Sequence, residues 1–169
     1  METRSIKSEF VTTNNKISGY AIVFNAPAVL RGIQPRPSGF TEVIRPGSLR
    51  VATDLRLLWG HDRNAPLGNA ARGTLAYKVD DKGLWFEATL PESATREREA
   101  IARGDADGMS FHFNLFKDKW DKDTRELLDI GIDEISITAF PAYPQTSVAM
   151  SRKKMEMELQ IREKYRGDY

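Results

Sequence analysis

Met109-Ser110-Phe111-His112-Phe113-Asn114-Leu115-Phe116 alternates along its length: Phe111, Phe113 and Leu115 face one way, Ser110, His112 and Asn114 the other. That period of two is the signature of a strand with one face on a core. Glu134 to Phe140 repeats it, with Ile135, Ile137 and Ala139 set against Glu134, Ser136 and Thr138. Pro141 and Pro144 then end the strand, because proline cannot donate to a ladder.

Working outward, Trp120 to Ile130 reads as a hairpin arm turning at Lys122-Asp123-Thr124. Thr74 to Val79 and Leu84 to Leu90 flank Asp80-Asp81-Lys82-Gly83, a strong hairpin signal. Leu55 to Trp59 is a short apolar run, read as a buried strand, with Gly60-His61-Asp62 at its end. Ile6 to Phe24 reads as two strands broken at Asn14-Asn15. Asn25 to Gly47, rich in Pro and Gly, reads as a long loop, expected to border a ligand cleft. Ser48 to Thr53 is expected to form a short helix, and Ser93 to Arg103 a firmer one, with Ser93 or Thr95 as cap and Gly104 as stop. The residue types therefore predict a mainly β fold with peripheral helices (α+β), a curled sheet or β-barrel of about seven or eight strands. Residues 1–150 form the expected domain. Residues 151–169 form a charged helical tail whose Met157, Ile161 and Tyr165 make a narrow apolar stripe.

Composition bounds the chemistry. The 169 residues suit one domain, and the net charge of +1 gives no reason to expect nucleic acid or an anionic membrane as partner. No run approaches the roughly 18 apolar residues of a membrane span, and the N-terminus lacks the build of a signal peptide. The chain has no cysteine, which removes thiolate metal sites and a cysteine nucleophile. With two histidines, His61 and His112, a three-histidine zinc site is impossible. The acidic pairs Asp80-Asp81 and Asp121 with Asp123 lack the spacing of a calcium loop and read as turns. Trp59, Trp85 and Trp120 read as core or sheet-face residues.

Four residues could carry acid–base or nucleophilic work. Ser110 sits in Gly108-Met109-Ser110, which lacks both the second glycine and the strand-turn-helix setting of a nucleophile elbow. His61 follows a buried strand, and a neutral imidazole is the usual acceptor of a serine proton. Glu134 lies on a polar strand face and could orient a histidine, ahead of Asp62. His112 shares the strand face of Ser110, about 7 Å away between Cα atoms. Taken singly, each residue is better explained by an ordinary polar position.

The ordered set is more specific. Gly19-Tyr20-Ala21 with Phe24-Asn25, Glu42 to Gly47, Leu58 to Asp62 with Pro66-Leu67-Gly68, Gly104 through Gly108-Met109-Ser110-Phe111, and Asp133 to Ile137 with Phe140-Pro141-Ala142 together resemble the tailed-phage prohead protease family. The likeness runs from about residue 5 to residue 150. It implies a β-barrel related to the herpesvirus assembly proteases, with the catalytic serine and histidine on neighbouring strands. It also implies a serine endopeptidase with Ser110 as nucleophile, His61 as general base and Glu134 as third member. Similar sequences carry glycine where this chain has His112, which keeps His112 open as an alternative third member. The implied substrates are capsid scaffolding segments of the major capsid protein, and the protease itself. The implied setting is the immature procapsid in the bacterial host cytoplasm, with no cofactor or metal and room for a homodimer. A non-catalytic scaffold-binding domain on the same fold is the alternative.

Overall fold

A computed structural model describes residues 2–7, 11–13 and 15–139. The expected helical tail lies outside them. Among the described residues the strands are β1 (Glu2–Lys7), β2 (Val11–Thr13), β3 (Lys16–Val23), β4 (Ala28–Leu30), β5 (Phe40–Ile44), β6 (Leu49–Trp59), β7 (Asp62–Asn69), β8 (Leu75–Val79), β9 (Gly83–Thr89), β10 (Gly108–Asp121) and β11 (Thr124–Thr138). One α-helix, α1 (Thr95–Arg103), precedes β10. The fold is mainly β.

The strands form two sheets. The larger has seven strands and runs β1-β10-β11-β5-β4, with β6 also on β11 and β7 on β6. The smaller is β2-β3-β9-β8. The expected barrel of seven or eight strands is therefore corrected: the larger sheet is open, and no ladder joins it to the smaller one among the described residues. Its edges, β1, β4 and β7, pair with no further strand among the described residues, and β11 stands at its centre. One side takes β10 in an antiparallel hairpin that turns at Lys122-Asp123. The other side is shared end to end by β5, opposite Thr124–Leu127, and β6, opposite residues 130–137, both parallel. These are long-range parallel pairings that a strand count cannot foresee.

Those pairings overrule three local readings. The helix expected over Ser48 to Thr53 is the start of β6, because Leu49, Arg50 and Val51 pair with Ile130, Gly131 and Ile132. The loop from Asn25 to Gly47 contains β4 and β5. Residues 62–69, assigned no element from sequence, return as β7. Other expectations hold. The turn between β8 and β9 is capped by Asp80, whose Oδ1 accepts from the N–H groups of Lys82 and Gly83. Gly83 has φ 155°, and a Cβ there would lie 1.9 Å from the Ile22 carbonyl oxygen. Only glycine allows that approach of β9 to β3. Helix α1 stops at Gly104, which is left-handed as expected, but neither Ser93 nor Thr95 caps its start.

The core is one continuous cluster. Ile17 and Ile22 of β3 and Leu84 and Phe86 of β9 join Leu55 and Leu57 of β6, Phe111 and Phe113 of β10, and Ile135 and Ile137 of β11. Ile101 brings α1 onto it. Full burial of side chains of this size stabilises by roughly 1.5–3 kcal/mol each.

Beside Phe113 the same face turns ionic. Arg4 of β1 is 1% exposed, with Nε 2.5 Å and Nη2 3.0 Å from the Glu42 carboxylate of β5. Arg125 of β11 donates to Glu2, Glu42 and Asp118. Burial opposes charge on Arg125, but its bonds to Glu2 and Asp118 outweigh this and push its pKa up. Burial likewise raises Glu2, yet Arg125 and Arg4 bring it below the ordinary carboxylate range. Such a cluster adds little net stability against an apolar equivalent, because desolvation offsets the attraction. Its consequence is positional: it fixes β1 against β5 and β11. Removing one partner should therefore cost far more than the cluster contributes. Glu42→Gln removes the buried charge that Arg4 and Arg125 share, leaving Arg4 the partly exposed Glu2 carboxylate, and should destabilise by about 3–5 kcal/mol, measured by urea unfolding. A loss below about 1 kcal/mol would show that β1 is held by its backbone ladder and not by these charges.

Candidate active site

Three adjacent stretches of the larger sheet converge on one point. β10 presents Ser110 and His112, opposite Ser136 and Glu134 of β11. On the far side of β11, β6 ends at Trp59, paired with Ile137, and the chain turns through Gly60 and His61 into β7. The family likeness implied serine and histidine on neighbouring strands; here β11 lies between them. The turn has two left-handed residues, Gly60 at φ 57° and His61 at φ 64°, which is the pattern of a tight hairpin turn. A non-glycine residue there costs of order 1–3 kcal/mol. The cost is held by two bonds: the Gly60 N–H donates to the Ile137 carbonyl at 2.9 Å, and the His61 N–H donates to Ser136 Oγ at 3.0 Å. The turn thus folds the imidazole back over β11.

A bulge in β11 aims the carboxylate. Ile132 pairs with Phe113 and Glu134 with His112, leaving Asp133 as the extra residue. Ile132 and Ile135, three apart, both enter the core. In a regular strand Glu134 would share the face of Ile132; the bulge turns it to the other face.

The result is a continuous hydrogen-bonded chain. His61 Nε2 lies 2.5 Å from Ser110 Oγ. His61 Nδ1 lies 2.9 Å from Glu134 Oε2 and 3.1 Å from Oε1. An ionised carboxylate only accepts, so His61 carries its proton on Nδ1 and offers Nε2 as acceptor to the Ser110 hydroxyl. Ser110 has a second acceptor, the Arg4 carbonyl of β1, at 2.9 Å. Ser136 Oγ donates to Glu134 Oε1. His112 Nδ1 lies 2.9 Å from Glu134 Oε2, and its ring stacks on that of His61 at 4.1 Å and 15°. Burial pushes the His112 imidazole below the ordinary histidine range; His61 and Arg63 act the same way, against Glu134 and Asp133.

Ser110, His61 and Glu134, singled out from sequence, are thus brought together. His112 joins them, touching the carboxylate and stacking on the His61 ring. Asp62 does not; it accepts from the Asn64 N–H at the start of β7. Ser136 is the residue that sequence reading missed as a participant. Its signal was present, because it is two residues from Glu134 on the same face. A cleft of about 1020 Å³ beside His61, His112 and Glu134 is lined by Leu58, Arg63, Leu67 and Leu90 among others, and not by the loop from Asn25 to Gly47 expected there; Ser110 is 1% exposed and is not on its wall. His61, His112 and Glu134 offer ligand atoms within 4.8 Å of one another. In the structure both Nδ1 atoms are engaged with the Glu134 carboxylate, each 2.9 Å from Oε2. Among the described residues no helix is long and apolar enough to cross a membrane.

Ser136→Ala would remove the acceptor of the His61 N–H and one of the two donors to Glu134 Oε1, leaving that oxygen His61 Nδ1. It should destabilise by about 1–3 kcal/mol, read as a shift of the denaturant midpoint. An unshifted midpoint would show that the hydroxyl does not support the turn.

Searches of curated proteins and of solved structures returned no match. A protein-family model described as caudovirus prohead serine protease matches residues 1–161, almost the whole chain. The matched span contains both flanking strands, the turn and the bulge that assemble Ser110, His61 and Glu134, and the chain belongs to the caudovirus prohead serine protease family.

Proposed function

We propose that this chain is a serine endopeptidase in which Ser110 is the nucleophile, His61 the general base and Glu134 the acid that orients it. The observation that carries the reading is the unbroken contact from Ser110 Oγ through both nitrogens of His61 to Glu134. Neutral His61 takes the Ser110 proton on Nε2 as Oγ attacks the peptide carbonyl carbon. The imidazolium that forms faces the Glu134 carboxylate, which stabilises it and keeps the ring from turning. Collapse of the tetrahedral intermediate breaks the C–N bond. The Nε2 proton leaves with the amine, and an ester to Ser110 remains. Water then repeats the sequence and frees the carboxylic acid.

The family match makes capsid maturation the setting. The substrates we infer are scaffolding segments of the major capsid protein, with the protease itself as a further target, inside the immature shell within the host cytoplasm. The cleft, at the upper end of ligand-pocket volumes, is in keeping with an extended peptide. Its wall at Leu58, Leu67 and Leu90 is apolar, with Arg63 at the rim.

Two measurements test the reading. A fluorophosphonate probe should label wild-type protein at Ser110 and leave Ser110→Ala unlabelled, as judged by peptide mass mapping. Co-expression with the capsid protein of the same genome should give trimmed product from wild type and none from Ser110→Ala. Glu134→Gln should keep the fold and lose up to about 10⁴ in turnover. Trimming at the same sites by Ser110→Ala would overturn the assignment. Absence of labelling in a folded wild type would favour a scaffold-binding role.

A further inference from the structure

His112 stands outside the three roles just assigned, yet it touches two of their members. Its Nδ1 is 2.9 Å from the same Glu134 oxygen, Oε2, that meets His61. Its ring lies parallel to that of His61 at 4.1 Å. Glu134 is 8% exposed, so few water molecules can serve its lone pairs. Its donors are then His61, Ser136 and His112. His61 rests in a strained turn and Ser136 on the carboxylate's own strand; only His112 approaches from β10, the strand of the nucleophile. We propose that His112 is a positioning residue of the reaction: in its neutral form it holds Glu134 in line with His61, and on protonation it switches that support off. This rests on the assignment of Ser110, His61 and Glu134 above.

The switching follows from charge. Neutral His112 must carry its proton on Nδ1, since it meets a carboxylate there. It can do so while adding no net charge beside His61. During acylation His61 becomes positive. If His112 already carries a second proton, on Nε2, two stacked imidazolium rings share one carboxylate, and proton transfer from Ser110 is opposed. The groups facing His112 are His61 in the turn, Glu134 and Asp133 of β11, and Arg63 of β7, with Asp54 and Arg56 of β6 in the same cleft. Across the other ladder β1 places Thr3 opposite, which does not titrate. Burial already favours the neutral ring. The supporting state is therefore present at neutral pH and lost as the pH falls through the His112 pKa. The proposed reaction needs His61 Nε2 free to accept and His112 without its second proton, so two protons must be absent from the active form.

The test is the rate of Ser110 labelling by a fluorophosphonate probe, followed against pH on the full chain, because this needs no known cleavage site. Wild type should show an acid limb whose slope approaches two. His112→Asn keeps a donor where Nδ1 stood and removes the titration. It should recover most of the labelling rate that His112→Leu loses at neutral pH, with an acid limb of slope one. His112→Leu removes the donor and should label about tenfold more slowly, as expected for loss of a hydrogen bond to a charged group. Thermal unfolding checks that each variant is folded, and the Asn variant decides the matter if the Leu variant is not. A slope of two retained by His112→Asn, or wild-type labelling by folded His112→Leu, would overturn the proposal while leaving the Ser110 reading intact. Labelling that persists in Ser110→Ala would overturn both.

Discussion

The Glu134 carboxylate is the interaction on which the rest of the site depends. A carboxylate this deeply buried stays in place only if it is given hydrogen bonds, since burial of an unpaired charge costs several kcal/mol. The sheet supplies them from both flanks: Ser136 from β11 itself, His112 from β10, and His61 from the turn after β6. Each donor is in turn placed by meeting that demand. The His61 ring is directed at Ser110 because its other nitrogen is committed to Glu134. Ser136 can donate to the carboxylate while accepting from the His61 backbone, so one hydroxyl ties the acid to the turn.

Two departures from regular backbone make this geometry. The bulge at Asp133 reverses the facing of β11 and brings Glu134 out of line with the core isoleucines. The left-handed conformation of His61 is a second departure, stabilised by bonds from Gly60 and His61 to Ile137 and Ser136. Both features cost local stability and both act at the one place where side chains must converge. The apolar core between the sheets supplies the surplus that tolerates them.

The N-terminal strand has an influence beyond its length. β1 pairs with β10 from Glu2 opposite Phe113 to Lys7 opposite Gly108. Its Arg4 side chain is sunk in the ionic cluster, and its Arg4 carbonyl accepts from Ser110. One residue thus joins the buried charges on one face of the sheet to Ser110 on the other. In the reaction proposed above, the Ser110 hydroxyl would still have an acceptor in the Arg4 carbonyl whenever His61 holds a proton on Nε2.

The sequence by itself determined what depends on a period of two and on turn chemistry. Ser110 with His112, and Glu134 with Ser136, share strand faces because alternate side chains must. The turns at Asp80–Gly83 and Lys122-Asp123, and the stop at Gly104, were legible because few residue types satisfy them. The ordered motifs pointed to the family, which supplied the roles that no single residue could. Tertiary structure alone decided which strands lie side by side. Leu49 to Val51 carry no local sign of pairing with β11, nor does the sequence show that β5 and β6 share one side of that strand. Tertiary structure also decided between Glu134 and His112 as the partner of His61 Nδ1, since strand parity admits both. The burial of Arg4, Glu42 and Arg125 was equally hidden, because charged residues distant in sequence gain a reason to be inside only once the chain has brought them together.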